Sequence, residues 1–276
     1  MSMTIAIQGN QASFHDIATE QYFSADDARI YCDTFSATFA ALADDRADFA
    51  LCAIENSLYG SINEVYDLLR SYDFPIIGEI YLRIEQCLIG HPDAELNMIT
   101  EVYSHPVALA QCDQYLDGTL PMATRVEYHD TAASVEFISE QKELSHAAIA
   151  SRESAKLYGM KVLASSIETD LQNYTRFVVL AKQPQPYDTA TKTSLILKTN
   201  HTPGALHNAL GCFANRHINL TKLQSRPITG SAWNYLFYID VLAGCEAKEF
   251  RAAHAELLAQ GCDVTVIGSY KSGLQT

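Results

Sequence analysis

The chain has 276 residues, enough for one large domain or a large and a small one at roughly 100–200 residues each. Its 48% hydrophobic and 19% charged side chains exclude a disordered, collagenous or disulfide-scaffold polymer. The 33 acidic residues outnumber the 19 Lys and Arg by 14, a field that repels phosphate backbones and anionic lipid, so neither nucleic acid nor membrane is an expected partner.

From the N-terminus, β-like runs alternate with helical patterns: residues 3–8 then 13–23, 49–54 then 61–69, 101–103 then 106–116, and 147–150 then 152–158. Such alternation predicts βαβ units and mainly parallel sheets. Residues 75–90 and 174–182 break the rhythm. A chain crossing out near 75–90 and back near 170–176 makes two α/β lobes with a ligand cleft between them and the crossings as hinges. Residues 183–192, with Pro184 and Pro186 and no periodicity, read as a linker between a domain at 1–182 and a second at 193–276. The second domain begins with a strand at 194–199, a helix carrying Leu206, Leu210 and Phe213, and strands at 218–225 and 233–241. A helix carrying Phe250 and Leu257 and a strand at 263–270 complete a βαββαβ order, the ferredoxin-like plan.

The seven cysteines include no C-x-x-C pair, and their odd number and wide spacing predict reduced, mostly buried thiols with neither zinc nor a disulfide framework. No apolar run reaches the length of a membrane span, and no basic leader precedes the first strand, so the expected location is the cytoplasm. Motifs for dinucleotide binding, nucleoside triphosphates, zinc proteolysis and the serine-hydrolase elbow are missing.

What remains are small polar clusters at strand-to-helix turns, where helix N-termini can meet carboxylates. These are Ser13-Phe14-His15, Glu55-Asn56-Ser57 with Gly60-Ser61, Ser104-His105-Pro106 with Gln111, and His129-Asp130-Thr131. Each also serves as an ordinary turn or helix cap. A fifth cluster, Asn173-Tyr174-Thr175-Arg176-Phe177, sets an arginine against an apolar strand, where it needs either an internal carboxylate or an anionic ligand.

Together these segments resemble the prephenate dehydratase family over nearly the whole chain. The resemblance is carried by Glu55-Asn56-Ser57, Ser104-His105-Pro106, Ala147-Ala148-Ile149-Ala150-Ser151 and above all Thr175-Arg176-Phe177. Toward the C-terminus it rests on Pro203-Gly204-Ala205-Leu206, Ile218-Asn219-Leu220-Thr221, Ser225-Arg226-Pro227 and Phe237-Tyr238-Ile239-Asp240. It implies a two-lobed, type II periplasmic-binding-protein-like catalytic domain followed by an ACT regulatory domain. The implied reaction takes prephenate to phenylpyruvate with loss of water and carbon dioxide and no cofactor. Thr175 would be the catalytic hydroxyl, with Arg176, Phe177, Asn56, Ser57, Ser104, Gln111, Ser13 and Thr131 binding substrate. Arg176 is expected to hold the pyruvyl carboxylate, because pairing the departing carboxylate would oppose its loss.

In the second domain the resemblance implies L-phenylalanine as effector at Gly204, Ala205, Leu206, Asn219, Leu220, Gln224, Ser225 and Arg226, within a homodimer or tetramer paired through ACT domains. Departures are Ala12 where glycine is usual, Gln86 where histidine is common, Val107, His207 and Gln224. Arogenate dehydration, or a non-catalytic amino-acid sensor on the same fold, are the alternatives.

Overall fold

Alternating apolar residues fix which face each strand buries, and the turn residues between them fix where the helices begin. The computed structural model describes residues 2–185, 189–228 and 234–273. Pro186 of the expected linker and Trp233 of the expected strand lie outside the described residues. By internal contacts the described chain divides into two compact units, residues 2–65 with 81–177 and residues 66–80 with 178–273.

In the first unit, β1 (Thr4–Gln8) buries Ile5, Ala6 and Ile7 between two parallel neighbours, β2 (Ala28–Cys32) and β3 (Phe49–Asn56). The crossovers are α1 (Phe14–Tyr22), capped by Ser13, and α2 (Phe35–Ala43), capped by Thr34. β4 (Gly60–Ser61) folds back antiparallel on the end of β3 and leads into α3 (Asn63–Tyr72) and β5 (Ile76–Arg83).

The chain then enters a second sheet at β6 (Cys87–Gly90). There follow β7 (Glu101–Ser104), α4 (Pro106–Gln111), α5 (Asp113–Thr119), β8 (Thr124–Glu127) and α6 (Thr131–Gln141). β9 (His146–Ala150), α7 (Arg152–Leu157) and β10 (Lys161–Ala164) complete it, in the order β10-β6-β9-β7-β8. Successive residues of its central strands feed opposite faces: Val102, Ala147 and Ile149 pack with Leu109 and Leu116, whereas Tyr103, Ala148 and Ala150 pack with Val135 and Ile138. That two-faced burial is why β9 reads as a continuous apolar run. The chain returns through residues 165–173 to β11 (Tyr174–Leu180), whose opening residues lie beside the end of β3.

One expected element is divided. The helical pattern at 106–116 forms α4 and α5 with a break at Cys112, because the Gln111 carbonyl accepts the Thr169 N–H at 2.7 Å instead of a helical partner.

The second unit is ferredoxin-like. Its elements are β12 (Lys192–Lys198), α8 (Ala205–Ala214), β13 (Leu220–Pro227), β14 (Tyr235–Val241), α9 (Lys248–Ala259) and β15 (Asp263–Tyr270). The strands run antiparallel in the order β13-β14-β12-β15 over a core of Leu195, Phe213, Ile239, Phe250 and Leu257. β5 joins the β15 edge at Ile76, opposite Gly268. A Cβ at Gly268 would sit 2.3 Å from the Ile76 carbonyl oxygen, so only glycine admits that junction. The fold as a whole is α/β, with a two-sheet first unit and a βαββαβ second unit. No helix among the described residues is long and apolar enough to cross a membrane.

Candidate active site

A cavity of about 380 Å³ opens in the first unit where its two sheets approach each other. The first sheet and its turns supply Gln8, Ser13, His15, Asn56, Thr175 and Phe177, the second His105, Ala108, Gln111, Asp130 and Thr131, and the crossing segment Ile84 and Gln86. No Lys or Arg is among the lining residues.

Strand periodicity decides what β11 offers to this space. Thr175 and Phe177 line it, while Arg176, between them, points elsewhere. Arg176 is only 4% exposed, and its Nη1 lies 3.9 Å from Glu55 Oε2. Arg176, expected to grip a substrate carboxylate, is thus not among the residues lining the cavity, and its guanidinium has an internal carboxylate nearby.

Thr175 is held by a directional run of side-chain amides. Asn56 Oδ1 accepts the backbone N–H groups of Leu58 and Tyr59, each at 3.0 Å, which fixes the amide so that Nδ2 faces the strand. Asn56 Nδ2 then donates to Thr175 Oγ1 at 3.0 Å and to Asn173 Oδ1 at 2.8 Å. Asn173 Nδ2 donates to Gln111 Oε1 at 3.0 Å, and Gln86 Nε2 donates to the same oxygen at 3.3 Å. Because Thr175 Oγ1 accepts a hydrogen bond from Asn56, its own O–H can be donated to a group in the cavity that Thr175 lines.

The remaining expected residues separate into two groups. Ser13 lines the cavity while capping α1 through Asp16 N, and Thr131 lines it at the start of α6. Ser57 and Ser104 do not line it. Ser57 Oγ donates to the Gln172 carbonyl and accepts the Tyr174 N–H, tying the β3 turn to β11. Ser104 is fully buried and donates to the Ile149 carbonyl at 2.6 Å, joining β7 to β9.

The histidines form a neutral wall. His15 Nε2 accepts the Ala53 N–H at 3.1 Å, the ring meets Phe177 edge-on at 5.0 Å, and burial pushes its pKa down to about 3. His105 Nδ1 accepts the Val107 N–H at 3.2 Å, and burial lowers its pKa against the opposing pull of Asp130 and Glu127. Asp130 caps α6 through Ala133 N, and Gly9, at φ +96°, lets its Oδ2 approach to 3.1 Å of where a Cβ would stand.

A family model for prephenate dehydratase matches residues 5–185. The chain belongs to the prephenate dehydratase family. It is 35% identical to the bifunctional chorismate mutase/prephenate dehydratase of Escherichia coli K12, over 98% of this chain and 71% of that protein. It is 36% identical to the chloroplastic arogenate dehydratase 4 of Arabidopsis thaliana, over 98% of this chain and 68% of that one. The structure of prephenate dehydratase from Arthrobacter aurescens in complex with L-Phe matches with a TM-score of 0.87 and 30% identity, covering 97% of this chain and 90% of that one. GqqA, described as a novel type of quorum-quenching acylase, also matches at 0.87, with 32% identity over 98% of both chains.

Within this dehydratase family member, Asn173 and Gln86 belong to the site although the motifs did not single them out as ligand-binding. Asn173 stood two places before Thr175, and only its burial and its bonds to Asn56 and Gln111 reveal its part. Ala12 takes φ +63°, in the left-handed region that glycine adopts without strain, so the departure from glycine there has a backbone cost. All seven cysteines are free, six of them buried, and no group of three or more metal-ligating side chains is placed to hold an ion among the described residues.

In the second unit, Gly204 caps α8 in the left-handed region, and Ala205 and Leu206 help line a cavity of about 340 Å³ with residues 199–203. Asn219, Leu220, Gln224, Ser225 and Arg226 do not line it. Asn219 accepts the Leu242 N–H, Leu220 starts β13, Gln224 Nε2 donates to the Ser225 carbonyl, and Arg226 pairs with Asp67 at 2.6 Å. The expected effector residues thus fall into two groups within this unit.

Proposed function

We propose that this chain dehydrates and decarboxylates prephenate to phenylpyruvate, with Thr175 donating to the departing hydroxyl. The observation that carries this reading is the Asn56 to Thr175 hydrogen bond, which leaves the threonine proton for a ligand in a cavity lined by no cation. In the reaction the bond from ring carbon to carboxylate breaks and releases carbon dioxide. Its electron pair completes the aromatic ring as the carbon–oxygen bond at the opposite ring position breaks, and the departing hydroxide takes a proton to become water. A threonine is too weak an acid to give up its proton outright, so it stabilises the leaving oxygen by a hydrogen bond while a proton is drawn from solvent. Phe177, Ile84 and Ala108 offer the ring carboxylate an apolar surface, which destabilises its localised charge more than the spread charge of the transition state.

Arogenate differs from prephenate by an amino group in place of the side-chain keto oxygen, and the same geometry serves it; the arogenate dehydratase relative supports that reading. Acylase activity, named for one structural relative, would call for a nucleophile paired with a base. Here His15 and His105 each spend a ring nitrogen on a backbone N–H. A non-catalytic sensor is the remaining alternative.

The ferredoxin-like unit is assigned as an ACT domain that binds L-phenylalanine, supported by the L-Phe complex of the Arthrobacter relative and by the cavity beside Ala205 and Leu206. Pairing of such domains in a homodimer or tetramer, and residence in the cytoplasm, are parts of the same proposal. The test is product formation from prephenate by the wild-type chain and by Thr175→Ala and Thr175→Ser, with and without L-phenylalanine. Loss in the alanine variant, retention in serine and a response to phenylalanine support the reading. No turnover of prephenate or arogenate overturns catalysis, and equilibrium dialysis without amino-acid binding overturns the regulatory assignment.

A further inference from the structure

We propose that Gln86 is a specificity-determining residue whose side-chain carbonyl accepts a hydrogen bond from an ammonium group on the ligand, so that the site favours an amino substrate over its keto counterpart. The inference rests on the dehydratase reading and refines its substrate class. Gln86 borders the cavity, is 2% exposed, and its Oε1 has no hydrogen-bond partner among the described residues.

The orphaned atom follows from the amide run. The Leu58 and Tyr59 N–H groups orient Asn56, Asn56 orients Asn173, and Asn173 orients Gln111, so Gln111 presents an acceptor to Gln86. Gln86 must therefore turn its amine toward Gln111, and its carbonyl is left over. The main chain of Gln86 is pinned as well, since its N–H donates to Glu168 Oε2 at 2.9 Å and its carbonyl accepts the Ile167 N–H at 3.0 Å. A buried acceptor without a donor is costly, and a ligand that supplies one recovers that cost. Gln86 lines the cavity and its orphaned oxygen is buried. The bond from Nε2 to Gln111 is long, and the terminal torsion of glutamine is soft, so a small rotation brings the oxygen to a ligand.

The chemistry of the donor follows from position. Four hydrogen bonds in series run from Thr175 through Asn56, Asn173 and Gln111 to Gln86, and the proposal sets the departing hydroxyl at the Thr175 end and the side chain of the ligand at the Gln86 end. On prephenate that part carries only oxygen lone pairs, which a carbonyl oxygen repels. On arogenate it carries an ammonium.

The experiment compares kcat/KM for arogenate and for prephenate in the wild-type chain, Gln86→Met and Gln86→Glu, with thermal unfolding of each. The wild type should turn over arogenate at least as well as prephenate. Gln86→Met, which keeps the length and removes the acceptor, should lower kcat/KM for arogenate by about 10- to 100-fold, the range for losing a hydrogen bond to a charged group, and that for prephenate by a smaller factor, so that the ratio of the two falls. Gln86→Glu keeps an acceptor while losing the amine that meets Gln111; it should unfold at a lower temperature yet retain the arogenate preference, which separates the role of the acceptor from a loss of stability. Parallel loss on both substrates, or no loss on arogenate, overturns the assignment while leaving the dehydratase reading intact. Turnover of neither substrate by the wild type overturns that reading and this one with it.

Discussion

Asn56 donates to Thr175 across 119 positions of sequence, and the direction of that bond is set by two backbone N–H groups in the turn after β3. Reversing the polarity should therefore disable Thr175 without removing it. In Asn56→Asp the carboxylate still accepts from Leu58 and Tyr59 but can no longer donate, so Thr175 turns its proton toward that carboxylate and away from the ligand. The expected result is a fall in kcat of roughly 100-fold, within the range for a positioned proton donor, with a far smaller change in unfolding midpoint. A steady-state assay beside a urea titration separates the two effects, and an unchanged kcat would count against this role for the bond.

Arg176 gives the opposite expectation. Because Arg176 is buried and absent from the cavity wall, with a partly exposed Glu55 carboxylate beside it, Arg176→Leu should cost roughly 1–3 kcal/mol of folding stability, the scale for losing a hydrogen-bonded polar partner. The variant that still folds should keep a KM near that of the wild type. A large rise in KM with an unchanged urea midpoint would return Arg176 to the substrate.

Those two residues show what could be read in advance. The two α/β lobes and the βαββαβ unit were legible because apolar runs, turn residues and helix caps alternate in a simple rhythm, as in β9 and α7. β2 was not, since it is a half-exposed strand containing Arg29 and Tyr31, and α2 was not, since Phe35, Ala37, Phe39, Ala40 and Ala41 carry apolar character around the helix. At the site, Thr175 was marked by its motif. Arg176 was assigned by its charge although strand alternation sets it opposite Thr175 and Phe177. The amide run was out of reach, because Asn56, Gln86, Gln111 and Asn173 meet only once the chain has closed.

His15 predicts a pH dependence. Its imidazole is neutral and accepts the Ala53 N–H, with a folded pKa of about 3 against an ordinary value of 6.5. Above pH 6.5 neither folded nor unfolded chain binds the proton, and the group contributes no slope. Below it the unfolded chain binds the proton and the folded one does not, so stability falls as pH drops toward 3, by up to about 1.4 kcal/mol per pH unit. His15→Gln retains an acceptor for Ala53 and removes the titration. Urea midpoints measured from about pH 7 to about pH 4 should fall less steeply in that variant. Identical slopes would mean that other groups dominate the acid loss.

The second unit holds a buried ion pair whose partners are far apart in sequence. Lys192 Nζ lies 2.8 Å from Glu79 Oε2, with both side chains almost wholly buried, and Glu79 Oε1 also accepts the Gly273 N–H at 3.0 Å. β12 carries the lysine and β5 the glutamate, so the pair fastens residues 66–80 into the ferredoxin-like unit that β15 already joins at Ile76. Lys192→Met should strand the carboxylate and cost roughly 3–5 kcal/mol, whereas Lys192→Met with Glu79→Leu removes both charges and should recover most of that loss. A double-mutant cycle in urea reads the difference as a coupling energy. If the two single losses simply add, the charges are not coupled, and the attachment of β5 must rest on the Gly268 junction and apolar packing alone.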